Sequence, residues 1–387
     1  MPWKVVTVMS QRKEFVSLAS AEDVNISELC HRFDISRKTG YKWLERFRVE
    51  GDSGIADRSR RPKFISVITS EEMERAIVRV RKRHRSWGGR KICKRLKNLG
   101  WQAVPAPSTI TDILRRNGLL DPRESSKHHA WQRFEAEAPN DLWQMDFKGH
   151  VPVADGRCHP LTVLDDHSRY SLGIQACSNE RDETVRNHLV MIFRRFGVPK
   201  RLLVDNGSPW GSADPDARYT ALTVWLMRIG IRIAHSRPYH PQTMGKDERF
   251  HRTLKAEVLQ YCSQLSIMGC QKRFDEWRNI YNYERPHESL LMDVPGNCYR
   301  ISSRSYTEEL PPIEYGPDDT VRKVYQGRIS FRSQRLRVGK AFNGEYIALR
   351  PTSTDGVYNV MYCNHKIDEI NLTRDNQETV THVPARL

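Results

Sequence analysis

Three short acid-bearing stretches constrain this 387-residue chain most: LWQMDF (142–147), LLVDNGSPW (202–210) and HPQTMGKDERFHRTLK (240–255). In the first two, apolar residues surround Asp146 and run directly into Asp205. Asn206-Gly207 follows Asp205 and predicts a turn that ends the strand just after its carboxylate. The third stretch predicts a helix. Phe250, Leu254, Val258 and Tyr261 recur at helical spacing, with Gly245 upstream where a loop would end. Two acids at strand ends and one at a helix start can converge on one point. Three converging carboxylates suit hard divalent cations such as Mg²⁺ or Mn²⁺. Such ions activate water and clamp both the attacking and the leaving oxygen of a phosphodiester. A helical wheel puts Glu248 roughly 125° from the centre of the apolar stripe, and Asp247 nearer to it, so the wheel alone does not choose between them. Asp165 and Asp166, at another strand end, are competing acids.

A basic balance names the partner. The formal net charge is +16 and the pI about 9.6, which favours a polyanion. Residues 1–139 hold 29 lysines and arginines against 17 acids, so +12 of the excess lies there. Residues 10–50 predict a helix-turn-helix. Asn25 with Glu28 is a capping pattern and Ser36 caps the next helix. Arg37, Lys38, Lys42 and Arg46 then lie off the apolar face, where they can reach a major groove. A Gly/Pro/Ser-rich linker follows at 51–62, with Arg58, Arg60 and Arg61 set to track a phosphate backbone. Residues 69–121 predict a second such unit. Thr69 with Glu72 forms a capping box, Ser108 caps the third helix and Gly118 stops it; Arg90, Lys91 and Arg115 are its candidate DNA contacts. Lys246, Arg252 and Lys255 are further candidates for phosphate contact.

Four segments together, WQMDF, LTVLDDHSRY (161–170), VDNGSPW and SRPYHPQTMGKDERFHRTLK, followed by YNYERPH (281–287), resemble insertion-sequence transposases of the DDE type, within the retroviral-integrase-core superfamily. The resemblance runs from about residue 11 to 372. It implies a ribonuclease-H-like mixed α/β core with the multidomain order α, α/β, β. It assigns Asp146, Asp205 and Glu248 as catalytic metal ligands, with two Mg²⁺ or Mn²⁺ ions. Glu248 is preferred because the family's glutamate stands three positions after its glycine, here Gly245. Asp165 and Asp166 are then structural. The gap from Asp205 to Glu248 is longer than retroviral integrases show, with the surplus in GSADPDARY (211–219), and Met244 stands where an asparagine is common. The expected divisions are a helix-turn-helix domain at 1–60, a second at 61–121, a linker at 122–139, the core at 140–300, a linker at 301–320 and a small β-domain at 321–387. That last domain alternates at Ile329, Phe331, Leu336 and Val338, has a hairpin signal at Asn343-Gly344, and resembles the β-barrel of many transposases.

The implied activity is cleavage at an element's 3′ end and strand transfer into target DNA, by a homo-oligomer on double-stranded DNA. A prokaryotic cytoplasmic, nucleoid-associated protein is expected. The eight cysteines are scattered with no Cys-x-x-Cys pair, which argues against a zinc ribbon. No run of about eighteen apolar residues suggests a membrane span. Gly245-Lys246 lacks the upstream glycine of a Walker motif, so no ATP is expected. The rival classes are a transposase-derived repressor with a dead core, a plain ribonuclease-H-type nuclease, and a recombinase that bonds covalently to DNA.

Overall fold

The computed structural model describes residues 7–58, 69–120, 135–211, 218–235 and 245–372. The chain divides into two compact units, Met1–Ile68 and Thr69–Leu387. Three helices build the first: α1 (Val8–Ala19), α2 (Ile26–Arg32) and α3 (Arg37–Glu50). The caps of α2 and α3 are those the sequence predicts. The Asn25 side chain accepts from the N–H groups of Ser27 and Glu28, and Ser36 accepts from Thr39; each cap is worth about 1 kcal/mol over alanine. Phe15, Val16, Leu29, Cys30 and Trp43 fill the space between the helices. Gly40 permits the close crossing, because a Cβ there would lie 2.4 Å from Cys30 Sγ. The predicted linker from Gly51 begins instead as a 3₁₀ turn, Gly51–Ile55. Ile55 is buried, and Arg12 donates to its carbonyl at 3.1 Å. Arg60 and Arg61 lie outside the described residues.

The second unit opens on α4 (Glu71–Arg83), α5 (Gly89–Asn98) and α6 (Pro107–Arg116). Two predicted caps shift. Ser70, not Thr69, accepts from Met73 at the start of α4. Pro107 takes the first turn of α6, where its missing N–H costs nothing, so Ser108 lies inside the helix. Ile77, Trp87, Ile92, Ile110 and Leu114 form the core of this three-helix cluster. Arg81, from the basic run at the end of α4, is buried and donates to the carbonyls of Leu119 and Trp87.

The centre is a mixed sheet of β1 (Trp143–Phe147), β2 (Val151–Val153), β3 (Gly156–Asp165), β4 (Ser171–Cys177), β5 (Arg201–Val204) and β6 (Arg232–His235). The strands run β4–β3–β1–β5–β6, and short β2 pairs with the first half of β3. The β4–β3–β1 half is antiparallel and the β1–β5–β6 half parallel. Helix α7 (Asp182–Phe196) and helix α8 (Ala221–Arg228) cover one face. There Val185, Leu189, Phe193 and Leu226 pack on Trp143, Met145, Val163 and Leu202. Helix α9 (Gly245–Glu257) and helix α10 (Ile267–Tyr283) cover the other, with Phe250, Leu254, Phe274 and Trp277 against Leu164 and Ile174. Each large side chain so buried contributes about 1.5–3 kcal/mol. A short helix, α11 (Pro295–Cys298), follows.

The C-terminal region has β7 (Thr320–Lys323), β8 (Arg328–Phe331), β9 (Gln334–Arg337), β10 (Tyr346–Pro351), β11 (Val357–Tyr362) and β12 (His365–Asn371). They form a four-stranded antiparallel sheet, β12–β11–β10–β7, and a separate β8–β9 hairpin, around Phe342, Ile347, Leu349 and Tyr362. Among the described residues no closed barrel forms, because the hairpin's strands pair only with each other. The tight hairpin turn falls at Arg332-Ser333, both at positive φ (46° and 60°), rather than at Asn343-Gly344. Asn343-Gly344 instead leads from a 3₁₀ turn into β10.

Candidate active site

Strand alternation sets the first acid. Trp143, Met145 and Phe147 point into the α7 side, so Gln144 and Asp146 point toward α9. Trp143 and Gln144 pair in parallel with Leu202 and Leu203; continuing that register brings Asp205, just past β5, level with Asp146. The negative charge of Asp205 is felt at Asp146: burial first, and then Asp205, push Asp146 up to about 7. Burial also raises Asp205, although the Gly207 N–H donates to its Oδ1 at 3.0 Å. Trp210 is buried, and its ring stacks on Phe147 with centroids 6.1 Å apart, which anchors the turn after Asp205.

The first turn of α9 supplies the rest. Asp247 is 1% exposed. Its N–H donates to Gln144 Oε1 at 3.2 Å, and its Oδ1 accepts from Thr162 Oγ1 at 3.2 Å. One helical turn on, His251 Nε2 lies 2.8 Å from Thr162 Oγ1, and its Nδ1 is 3.9 Å from Asp146 Oδ2. Burial, then Lys148, lowers His251 to about 3, so its imidazole is neutral. Burial, then Asp146, holds Asp247 well above the usual carboxylate range. Asp247 Oδ2 lies 3.3 Å from His251 Nε2 yet accepts no hydrogen bond.

Asp146, Asp247 and His251 offer ligand atoms that all lie within 4.8 Å of one another. Carboxylates driven toward protonation by burial and by each other, a neutral imidazole and an orphaned buried carboxylate oxygen form a donor set that a divalent cation would satisfy. A thermal measurement checks this. Because the folded pKa of Asp146 lies above its ordinary 3.8, its contribution to stability is full below about pH 4 and is lost as pH rises through about 7. In chelator, Asp146→Asn is expected to melt about 2–4 °C above wild type at pH 8, with the difference shrinking as pH falls and vanishing only below about pH 4. Added Mn²⁺ is expected to raise the wild-type midpoint and leave the variant's unmoved.

The other predicted residues are placed as follows. Glu248 is exposed on the first turn of α9, and among the described contacts none joins it to Asp146 or Asp205. Asp165 and Asp166 are fully buried. Asp165 accepts from Asn140 and Ser168, and Asp166 accepts from Ala136, Gln144 and Lys246. Lys246 is thus drawn inward, while Arg252 and Lys255 are exposed. In the first unit Arg37 and Lys38 are exposed at the start of α3, Lys42 and Arg46 lie over the Trp43 ring, and Arg58 pairs with Glu50. Arg90 pairs with Glu288 at 3.6 Å, and Arg115 pairs with Asp112. Sequence reasoning missed His251, Thr162 and Glu180. The four-residue step from Asp247 to His251 was visible as one helix face. Thr162 becomes relevant only through its pairing with Asp146 across β3. Glu180, hydrogen-bonded to His159 at 2.7 Å, bears on both Asp146 and Asp205.

With that geometry in hand, known families are informative. The integrase core domain matches residues 136–241 and, in a second model, 229–295. The C-terminal domain of IS481 family transposases matches 319–378. A homeodomain-like domain matches 39–114 and a helix-turn-helix domain 11–63. The chain thus carries an integrase core domain, followed by a segment similar to the C-terminal domain of IS481 family transposases and preceded by helix-turn-helix domains. It is 27% identical over 175 residues to the transposase for insertion sequence element IS904 of Lactococcus lactis subsp. lactis, covering 44% of this chain and 66% of the relative. It is 28% identical over 151 residues to an uncharacterized 39.2 kDa protein of insertion element IS476 of Xanthomonas euvesicatoria, covering 39% of this chain and 42% of the relative. The chain thus spans about two fifths to two thirds of the length of these curated relatives. Among solved structures, the HTLV-2 integrase catalytic core domain in complex with magnesium aligns with 15% identity and a TM-score of 0.34, over 43% of this chain and 100% of the other.

Proposed function

We propose that this protein binds the terminal repeats of its element, frees a 3′ end there and joins that end to target DNA. The observation that carries the proposal is the pairing of β1 with β5, which sets Asp146 and Asp205 at the ends of adjacent strands in an integrase core that follows two three-helix clusters in sequence, the second of them basic. The proposed ligands are Asp146, Asp205 and Glu248, for two Mg²⁺ or Mn²⁺ ions. When bound, the cations supply the charge that favours the attacking oxygen and stabilises the leaving one. The chain's own residues do the positioning. The sheet fixes the Asp146–Asp205 spacing. Thr162 Oγ1 lies 3.0 Å from the Asp146 carbonyl and so ties the ligand's own backbone. His251, neutral and packed on Thr162, keeps a positive side chain out of the metal site. Asp247 pins the first turn of α9, and with it Glu248, to β1 through Gln144.

The proposed division follows the expected one: readers at 1–60 and 61–121, core at 140–300, β-domain at 321–387, assembled as a homo-oligomer on duplex DNA. The test is incubation of the full chain with duplexes bearing candidate element ends and Mg²⁺, scored for cut 3′ ends joined to a second duplex. Deletion of both proposed readers, residues 1–121, is expected to leave a folded core, by circular dichroism, and to abolish the footprint on the terminal repeat. Binding by the full chain should weaken roughly 10³-fold or more between 50 and 200 mM salt, as counterion release from several phosphates requires. A footprint that survives the deletion, or a flat salt response, places recognition elsewhere.

A further inference from the structure

The YNYERPH segment has no part in the carboxylate site. Tyr281 is buried against Phe250, with ring centroids 4.8 Å apart and nearly perpendicular. The residues that follow it turn to the second three-helix cluster. Arg95 of α5 pairs with Glu284 at 2.7 Å, and both side chains are largely covered, 18% and 26% exposed. Arg90, at the start of α5, pairs with Glu288. Ser86 donates to Glu257, the last residue of the catalytic helix α9. Glu257 also accepts from Trp277 Nε1 at 2.8 Å and lies 3.5 Å from Arg285 Nε. Ile280 of α10 packs on the apolar core of the cluster.

We propose that residues 281–288 with Glu257 are the docking seat of the second three-helix cluster, so that Arg90, Lys91 and Arg95 of α5 grip the core while exposed Arg79 and Lys82 of α4 face DNA. Several observations meet here. The pairs join residues far apart in sequence, three acids of the core face the basic helix, and an apolar contact lies among them. Lys91 is half-buried. Burial, then the Arg285 guanidinium, lowers its pKa to about 7. Ion pairs so covered are sensitive to loss of one partner, because the other is left buried without compensation. The seat also touches α9, the helix of Asp247 and Glu248, at its far end through Glu257. DNA held by the cluster would therefore be referenced directly to the catalytic helix. The docking half of the proposal stands on the contacts alone; the DNA half rests on the proposed function.

The test uses the full chain with Arg95→Glu, Glu284→Arg, the double swap, and Arg79→Glu/Lys82→Glu. Amide hydrogen exchange reads docking, and fluorescence anisotropy with a duplex carrying the element end reads DNA binding. Each single reversal is expected to speed exchange across α5 and residues 281–288 about tenfold, and the swap to return it to within about threefold, as a restored pair would. DNA affinity is expected to fall less than about threefold for Arg95→Glu and about tenfold or more for Arg79→Glu/Lys82→Glu, the pattern of phosphate contacts on α4. Unchanged exchange in the single variants, or a loss that the swap does not restore, overturns the docking seat. A loss of DNA affinity in Arg95→Glu matching that of the α4 variant, with exchange unchanged, makes α5 a DNA contact. If the wild-type protein bound no duplex at all, the functional proposal would fail and exchange alone would decide the docking.

Discussion

Asp146→Asn and Asp205→Asn are each expected to abolish 3′-end cleavage and strand transfer while leaving end binding within about twofold of wild type. An amide keeps the shape of the carboxylate but loses the charge that holds a divalent ion. With several kcal/mol of transition-state stabilisation removed, the rate should drop by roughly 10³-fold or more. The proposed readers lie elsewhere: Arg37 and Lys38 are exposed in the first unit, so binding is expected not to change. The same amide relieves the repulsion that raises Asp146. A dead enzyme that melts no lower than wild type in chelator is therefore the expected combination. Gel assays of cleavage and joining, with melting curves on the same preparations, check it. Near-wild-type turnover by either variant in Mg²⁺ would remove that residue from the ligand set.

The acid on α9 gives the second large effect. Glu248→Gln is expected to eliminate Mg²⁺-dependent strand transfer with little change in stability, since Glu248 is exposed. Asp247→Asn is expected to reduce it only modestly. Asp247 already lies in an environment that favours its protonated form, and an amide can still meet Thr162. Asp247 then serves to seat the helix, and its neighbour reaches the metal. The geometry also states the opposing case sharply, because Asp247, not Glu248, shares a 4.8 Å ligand cluster with Asp146 and His251. Paired assays of the two variants decide it. A live Glu248→Gln enzyme and a dead Asp247→Asn enzyme would shift the third ligand back by one residue.

Much of this site was legible before any fold was known. Leu202, Leu203 and Val204 running into Asp205-Asn206-Gly207 mark a buried strand that ends on an acid, and the structure has that strand and that turn. The wheel already placed Asp247 nearer the apolar stripe than Glu248, and the structure buries the one and exposes the other. What Asp247 meets was not legible, because Thr162 comes into play only through the antiparallel register of β1 and β3. The caps at Asn25 and Ser36 were readable because a cap is a local hydrogen bond. The caps predicted at Thr69 and Ser108 shift by one and two residues, to Ser70 and Ala106, the ordinary latitude of helix ends. Arg81 looks like its basic neighbours in sequence. Only the fold shows it spent on the carbonyls of Leu119 and Trp87. The Arg95–Glu284 pair, 189 residues apart, leaves no local trace, and neither does the absence of a closed barrel among the described C-terminal residues.

Phosphoryl transfer is proposed to be a single in-line displacement at a carboxylate site that would hold the metal, with no bond between protein and DNA. The stereochemistry at phosphorus tests it most directly. A target duplex with one phosphorothioate of known chirality at the joining position is incubated with a pre-cut element end, Mg²⁺ and the full chain, and the configuration of the joined product is assigned. One in-line displacement inverts that centre, so inversion is the predicted result. Retention would mean two displacements through a covalent intermediate and would contradict the roles given to Asp146 and Asp205.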